Sequence, residues 1–104
     1  ILIIMDIVKN EYISDLLGIY GKLLTDYQLE IMELYYFEDL SLSEIALNKD
    51  VSRNAVFTLI KRVEKILIDY ENKMKLNEKI KKIENKIKDE NLKEDILNIL
   101  LEGE

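Results

Sequence analysis

Hydrophobic residues recur at intervals of three and four along the chain, which is the spacing of helices that bury one face. An apolar stripe predicts a first helix over residues 9–23. Thr25 and Gln28 have the spacing of a capping box and predict a second helix over residues 26–37. Gly18 and Gly21 cost roughly 1 kcal/mol each against alanine in an exposed helix interior, which predicts close packing of another helix there.

Residues 40–62, LSLSEIALNKDVSRNAVFTLIKR, predict two short helices joined by a tight turn, which is a helix-turn-helix. Ser41 and Glu44 form a second capping box, and Ser52 is placed to cap the second helix of the motif. Ala46 fits the point where the two helices touch. Asn48-Lys49-Asp50 is predicted to form the turn, because Asn and Asp tolerate left-handed backbone.

The second helix of the motif separates an inward face from an outward face. Inward positions are Val56, Leu59, Ile60 and Val63, and outward positions are Arg53, Asn54, Phe57, Thr58 and Lys61. Arginine pairs well with guanine and asparagine with adenine in the major groove, which the second helix of such a motif enters. The candidate DNA-binding residues are therefore Ser52, Arg53, Asn54, Phe57, Thr58 and Lys61.

Beyond the motif, the apolar pattern predicts two further helices. A seam at Val56, Ile60, Val63, Leu67, Tyr70 and Met74 resumes one residue out of phase at Leu76, Ile80, Ile83 and Ile87. The shift predicts a break over residues 75–77, and a last, strongly apolar helix follows over residues 92–101. We predict an all-α protein without a winged helix, with a helix-turn-helix domain over residues 1–72 and a helical arm over residues 73–104. Because the arm carries more apolar surface than a small monomer readily covers, we expect it to form a homodimer.

The net charge of −6 is unevenly distributed along the chain. Residues 6–40 carry −6, residues 41–65 carry +2 and residues 66–104 carry −2. Phosphate contacts dominate affinity for duplex DNA, so a weakly basic motif on an acidic body predicts modest, salt-dependent binding. Seven lysines between positions 73 and 88 form a basic amphipathic helix, and candidates for contact with RNA or protein are Lys79, Lys81, Lys82 and Lys86. The same residues also fit the solvated outer face of a dimerising helix.

Composition narrows the function classes. The sequence has no Cys and no His, which removes thiolate metal sites and the most common general base. No phosphate-binding glycine loop or nucleophile and base pair occurs, so we expect no enzymatic activity, catalytic residue, metal or cofactor. The apolar start ILIIMDIV is too short to span a membrane and lacks signal-peptide features, which predicts a cytoplasmic protein without membrane contact.

Three segments also carry a family resemblance. LLTDYQLEIMELYYFEDLSLSEIA, VSRNAVFTLIKRVEKIL and DYENKMKL closely resemble the YlxM-like family of small bacterial proteins, over residues 10–76. More distantly they are similar to region 4 of bacterial sigma factors. The resemblance implies an all-helical protein encoded beside the GTPase of the signal recognition particle, with a role in regulating or accompanying that pathway. It also places the natural start near Met5, so Ile1 to Ile4 are either an extension or a short hydrophobic arm.

Two hypotheses follow from the residues and the resemblance together. The first is a DNA-binding regulator of a signal recognition particle operon or pathway, in which Arg53, Asn54 and Lys61 contact duplex DNA. The second is an accessory protein that binds the particle's GTPase or RNA without binding DNA. Effects of changes at Arg53 and Asn54 on duplex binding distinguish the two.

Overall fold

The structure is a computed structural model that describes the backbone from Leu2 to Glu102 and the side chains from Glu11 to Glu102. Its elements are α1 (Leu2–Tyr20), a short 3-10 helix (Gly21–Leu23), α2 (Asp26–Tyr36), α3 (Leu42–Lys49), α4 (Arg53–Met74), α5 (Leu76–Lys86) and α6 (Glu90–Glu102). No strand occurs among these residues, so the predicted all-α fold is confirmed. The packing of Ile1 to Ile4 as a hydrophobic arm lies outside the described side chains.

Side-chain caps begin the three central helices where the sequence predicts them. Thr25 and Gln28 form a reciprocal capping box at α2, and Ser41 and Glu44 form another at α3. The hydrogen bonds with Ser41 lower the pKa of the Glu44 carboxyl. Ser52 caps α4 by accepting a hydrogen bond from the Ala55 amide at 3.0 Å. Each cap satisfies backbone amides that the first turn of a helix leaves free.

The turn of the helix-turn-helix is shorter than predicted. Asn48 and Lys49 belong to the last turn of α3, so only residues 50–52 separate it from α4. Asp50 ends α3 in the left-handed conformation, with φ of 54°. The Val51 amide then donates to the carbonyl of Ala46 at 3.0 Å. The prediction was wrong about the first two turn residues because asparagine and lysine also fit a final helical turn.

The inward face of α4 forms the centre of the core. Val56, Ile60, Val63 and Leu67 are buried, and α1, α2 and α3 all pack against this helix. The other buried hydrophobic residues of this core are Ile13, Leu16, Leu17, Tyr20, Leu24, Ile31, Met32, Ile45 and Ala46. The seam predicted from its spacing is therefore covered within one chain over most of its length. Only at Met74, the last residue of α4, is it exposed to solvent.

The two helical glycines have different environments. A β-carbon on Gly21 would lie 3.0 Å from Cδ1 of Leu29, which confirms close packing at that position. A β-carbon on Gly18 would meet nothing within 4 Å, and the residue is exposed. The prediction of close packing is thus wrong for Gly18. Its side of α1 faces solvent, so no neighbouring helix requires the missing side chain.

A buried polar joint connects α4 to α5. Lys75 has a φ of 57° and breaks the helix within the predicted range. Glu71 is buried, and its carboxylate accepts hydrogen bonds from the Tyr20 hydroxyl at 2.6 Å and from the backbone N–H of Asn77 at 3.0 Å. The Tyr20 hydroxyl in turn accepts from the Leu76 amide at 3.1 Å. Two side chains from earlier helices therefore cap α5, which fixes its direction relative to α1 and α4.

The two last helices are packed less deeply. α5 packs against α1 and buries Ile80, and Lys81 reaches Asp15 of α1 at 3.4 Å. α6 packs against α5 and contains no buried residue. Near its end, Lys22 Nζ donates to the carbonyl of Leu101 at 3.0 Å. Among the described residues, no helix combines the length and the hydropathy that a membrane span requires.

Candidate nucleic-acid interface

The outward face of α4 presents a continuous polar stripe. Asn54, Thr58, Lys61 and Lys65 follow one another at intervals of four, three and four residues, so they share one side of the helix. All four side chains are exposed. A stripe of about three turns is enough to follow a major groove, provided that the helix presents its first turns to the bases.

The first turn of α4 holds the residues best suited to reading bases. Arg53 and Asn54 directly follow the cap and are both exposed. The Ser52 hydroxyl accepts from the amide of Ala55, so one of its two lone pairs is engaged in the helix cap. Its donor hydrogen remains able to contact a phosphate, whereas the two following side chains carry the donors and acceptors that distinguish base pairs.

Lys61 is restrained by its neighbours in the middle of the stripe. Its Nζ lies 5.6 Å from the centre of the Phe57 ring and 3.3 Å from Glu64 Oε1. Glu64 also accepts a hydrogen bond from the hydroxyl of Tyr36. Burial and this hydrogen bond raise the pKa of Tyr36 above its usual range, so the phenol stays protonated and donates to Glu64. Part of the positive charge of Lys61 is therefore neutralised within the protein.

Sequence reasoning missed two basic residues that belong to this surface. Arg62 and Lys65 line the same shallow depression as four of the predicted residues, which are Asn54, Phe57, Thr58 and Lys61. Lys65 lies eleven residues after Asn54, three helical turns along the same face, and this spacing was available in the sequence. Neither Arg62 nor Lys65 forms an ion pair within the described part of the chain, so both keep their full charge for phosphates.

Lys49 contributes less positive charge to the motif than the sequence implies. Its ammonium group pairs with Glu30 of α2 and lies 6.0 Å from the centre of the Tyr27 ring. Only 15% of its side chain is exposed. This contact joins the end of α3 to α2, so the lysine supports the position of the motif. The charge that faces outward is concentrated on α4.

The lysines of α5 are exposed but divide between two sides of the helix. Lys79, Lys82 and Lys86 are spaced by three and four residues and share one side, whereas Lys81 lies on another side and pairs with Asp15. Lys82 is 3.7 Å from Glu78 in the preceding turn. The structure thus brings three of the four predicted lysines together.

The described carboxylates form no metal site, and three of the tyrosines are used in packing. No group of three or more acidic side chains in the described residues is arranged to hold a metal ion. Tyr20 is buried on Glu71, and Tyr35 and Tyr36 pack edge to face with ring centres 5.0 Å apart. The α4 stripe, by contrast, presents exposed polar side chains on the outer helix of the helix-turn-helix.

The order of α3, turn and α4, with its inward core and outward polar stripe, defines a helix-turn-helix protein. Residues 7–102 match the model of the family described as "Putative helix-turn-helix protein, YlxM / p13 like". The chain belongs to this family, UPF0122, and the predicted resemblance is confirmed.

Curated relatives agree with this assignment. A UPF0122 protein of Clostridium acetobutylicum is 51% identical over 78 residues, which cover 75% of this chain and 67% of the relative. One of Streptococcus mutans is 53% identical over 70 residues, covering 67% and 64% respectively. One of Malacoplasma penetrans is 46% identical over 93 residues, covering 86% and 87%. The chain spans about two thirds of the length of the first two relatives.

Proposed function

We propose that this protein binds duplex DNA through the outward stripe of α4 and acts as a regulatory protein in the cytoplasm. The observation that carries the proposal is the exposure of Asn54, Thr58 and Lys65 on one side of a helix whose opposite side is the core. A helix held in this way presents a rigid polar face, which reduces the entropy lost on binding. Arg53 and Asn54 are assigned to bases, and Lys61, Arg62 and Lys65 to phosphates.

The similarity to the YlxM-like family supports the signal recognition particle pathway as the biological setting. In that setting the regulated target is the operon that encodes the particle's GTPase. We also propose that the protein acts as a homodimer. Two helix-turn-helix domains bound to one duplex raise the affinity above that of a single weakly basic motif. The chain carries a net charge of −6, which opposes nonspecific contact with DNA, so the position of the basic residues on the α4 stripe determines whether DNA is bound.

Selection from a randomised duplex library, followed by fluorescence anisotropy on the selected duplex and on a scrambled one, tests the proposal. Asn54→Ala is expected to cost roughly 1–3 kcal/mol on the selected duplex and little on the scrambled one. Lys65→Ala is expected to weaken both duplexes equally. Lys73→Ala is the matched control, because Lys73 lies on α4 outside the stripe and pairs with Asp69. Equal binding by all these variants would contradict the proposal.

A second candidate function rests on α5. Lys79, Lys82 and Lys86 form an exposed basic stripe that is separate from the helix-turn-helix, and such a stripe suits RNA or an acidic protein surface. In this alternative the protein is an accessory factor that binds the particle's RNA or GTPase, with Lys81 at the edge of the contact. Binding to purified particle RNA or GTPase that survives Asn54→Ala but not the triple change of Lys79, Lys82 and Lys86 to Ala would favour it.

A further inference from the structure

The last helix exposes apolar side chains that nothing in the described chain covers. Leu92 is 50% exposed, Ile99 59% and Leu100 52%. Ile96, between them, is half-buried. Leu92 and Ile99 are seven residues apart and Ile96 lies four after Leu92, so these residues form one stripe along the helix. A stripe of this kind beside an otherwise charged surface marks a contact site.

Acidic residues flank the stripe. Asp95 lies three residues after Leu92, and Glu102 lies three after Ile99, so both carboxylates border the exposed aliphatic side chains. Neither forms an ion pair within the described residues. The whole helix carries a net charge of −3, from Glu90, Glu94, Asp95 and Glu102 against Lys93.

This charge restricts what covers the stripe. Phosphates of a nucleic acid and anionic lipid head groups would both be repelled by Asp95 and Glu102. The sequence of α6 contains no aromatic residue of the kind that anchors helices at membrane surfaces. The occupant must combine an apolar strip with basic side chains. The hairpin of α5 and α6 meets both requirements, because α5 carries a net +2 from Lys79, Lys81, Lys82 and Lys86 against Glu78 and Glu84.

We propose that the α6 stripe is covered by a second copy of this chain, in a two-fold contact between the α5–α6 hairpins. In a two-fold contact each residue pair occurs twice, so a surface that carries both charges complements itself. The two α6 helices lie antiparallel with the axis near Ile96, which places Leu92 of one copy opposite Ile99 of the other. Asp95 and Glu102 then face the basic stripe of the opposite α5, where Lys79 and Lys86 have no ion pair among the described residues.

This arrangement deepens the dimer proposed above and specifies the surface that forms it. α6 is about 20 Å long at 1.5 Å per residue, so the two hairpins form a contact at the small end of stable interfaces. We therefore expect a dimer in the micromolar range. The contact leaves the α4 stripe free, and it is tested without nucleic acid, so its failure and that of DNA binding are separable.

Sedimentation equilibrium of the full chain over a range of concentrations tests the apolar half of the contact. The wild type is expected to reach twice the monomer mass, and Ile99→Lys to remain a monomer with an unchanged helical circular dichroism spectrum. Leu47→Lys is the matched control, because Leu47 is an 84% exposed aliphatic residue on α3. A monomeric wild type at all concentrations, or a dimeric Ile99→Lys, would overturn the proposal.

Two charge-reversed variants test the two-fold pairing. The acid-reversed variant carries Asp95→Lys and Glu102→Lys, and the base-reversed variant carries Lys79→Glu and Lys86→Glu. Each variant alone places like charges opposite one another, so its dimer dissociation constant is expected to rise at least tenfold. Mixed in equal amounts, the two variants are expected to form a heterodimer, because both charge contacts are then restored with the opposite sign. Folded variants that dimerise separately as well as the wild type, or whose mixture stays monomeric, would refute the arrangement.

Discussion

The helices α1 to α4 and the helices α5 and α6 are built from similar residues but bury them to different extents. Leu16, Met32, Ile45, Val63 and Leu67 have no exposed surface, whereas no residue of α6 is buried and Leu92, Ile99 and Leu100 are at least half-exposed. The first region is closed around α4 on three sides. In the second region, α5 packs against α1 and α6 packs against α5, and the buried Glu71 joins α5 to the first region. The helix-turn-helix therefore lies entirely within the well-packed region. The second region keeps apolar surface exposed, and this surface can contact another molecule.

The largest expected difference between the regions concerns the removal of a leucine. Leu67→Ala is expected to lower the free energy of unfolding by about 2–5 kcal/mol, because it empties a site that has no exposed surface. Leu100→Ala, at a concentration where the protein is monomeric, is expected to cost well under half of that. Urea unfolding followed by circular dichroism measures both. Equal losses would show that the second region is as well packed as the first.

Overpacking the motif tests the contact between α3 and α4. Ala46 is 7% exposed, and Ala46→Leu is expected to cost about 1–3 kcal/mol of unfolding free energy. Ala55 lies in the first turn of α4 and is exposed, so Ala55→Leu is the control and is expected to have little effect. An unchanged urea midpoint for Ala46→Leu would mean that the two helices do not meet at this residue.

The joint between the regions is tested by removing one hydroxyl. Tyr20→Phe deletes the hydrogen bonds to Glu71 and from the Leu76 amide, at an expected cost of about 1–2 kcal/mol for buried polar groups left unpaired. Amide hydrogen exchange should increase most in the first turn of α5. Tyr27→Phe, at an exposed tyrosine, is the control. Exchange that rises equally in α2 would argue against a local joint.

The same tyrosine makes stability sensitive to alkaline pH. Burial, and then the hydrogen bond to Glu71, raise the pKa of Tyr20 to about 12. In the unfolded chain the tyrosine has its ordinary pKa of about 10. The contribution of Tyr20 to the free energy of unfolding is therefore fully present below pH 10 and is lost as the pH rises towards 12. Tyr20→Phe is expected to flatten this part of the decline in unfolding free energy. An identical pH profile for both proteins would exclude the contribution.

The smallest expected effect is a gain in stability. Gly18 lies in α1 with open space where a side chain would be, so Gly18→Ala should raise the free energy of unfolding by about 0.5–1 kcal/mol. Gly21→Ala is the contrast, because its β-carbon would press on Leu29 and offset that gain. A loss of stability in Gly18→Ala would indicate a contact with this side of α1.

Local features of the fold were predictable from the sequence. Ser41 with Glu44 and Thr25 with Gln28 signal helix starts within four residues, and the inward spacing of Val56 to Val63 identifies the core face of α4. The one-residue shift after Met74 predicts a break within residues 75–77, and the structure has it at Lys75. These signals depend on neighbours along the chain, which a sequence displays directly.

Features that depend on distant partners were not predictable. The sequence around Glu71 does not distinguish it from an exposed acidic residue, because its hydrogen-bond partner Tyr20 lies 51 residues earlier in the chain. Gly18 and Gly21 are alike in sequence, and only the position of Leu29 distinguishes them. In the candidate interface, the pairing of Lys61 with Glu64 was available from its spacing, but the contact of Glu64 with Tyr36 depends on how α2 packs against α4.

The salt dependence of duplex binding tests most directly whether α4 or α5 holds nucleic acid. Three proteins are compared by anisotropy on the selected duplex: the wild type, Arg62→Ala with Lys65→Ala, and Lys79→Ala with Lys82→Ala. The first double variant is expected to flatten the slope of log affinity against log salt by about two counterions, because each phosphate contact releases roughly one. The second is expected to leave the slope unchanged. The opposite result, with an unchanged slope for the α4 variant and a flattened slope for the α5 variant, would contradict the assignment of DNA binding to α4.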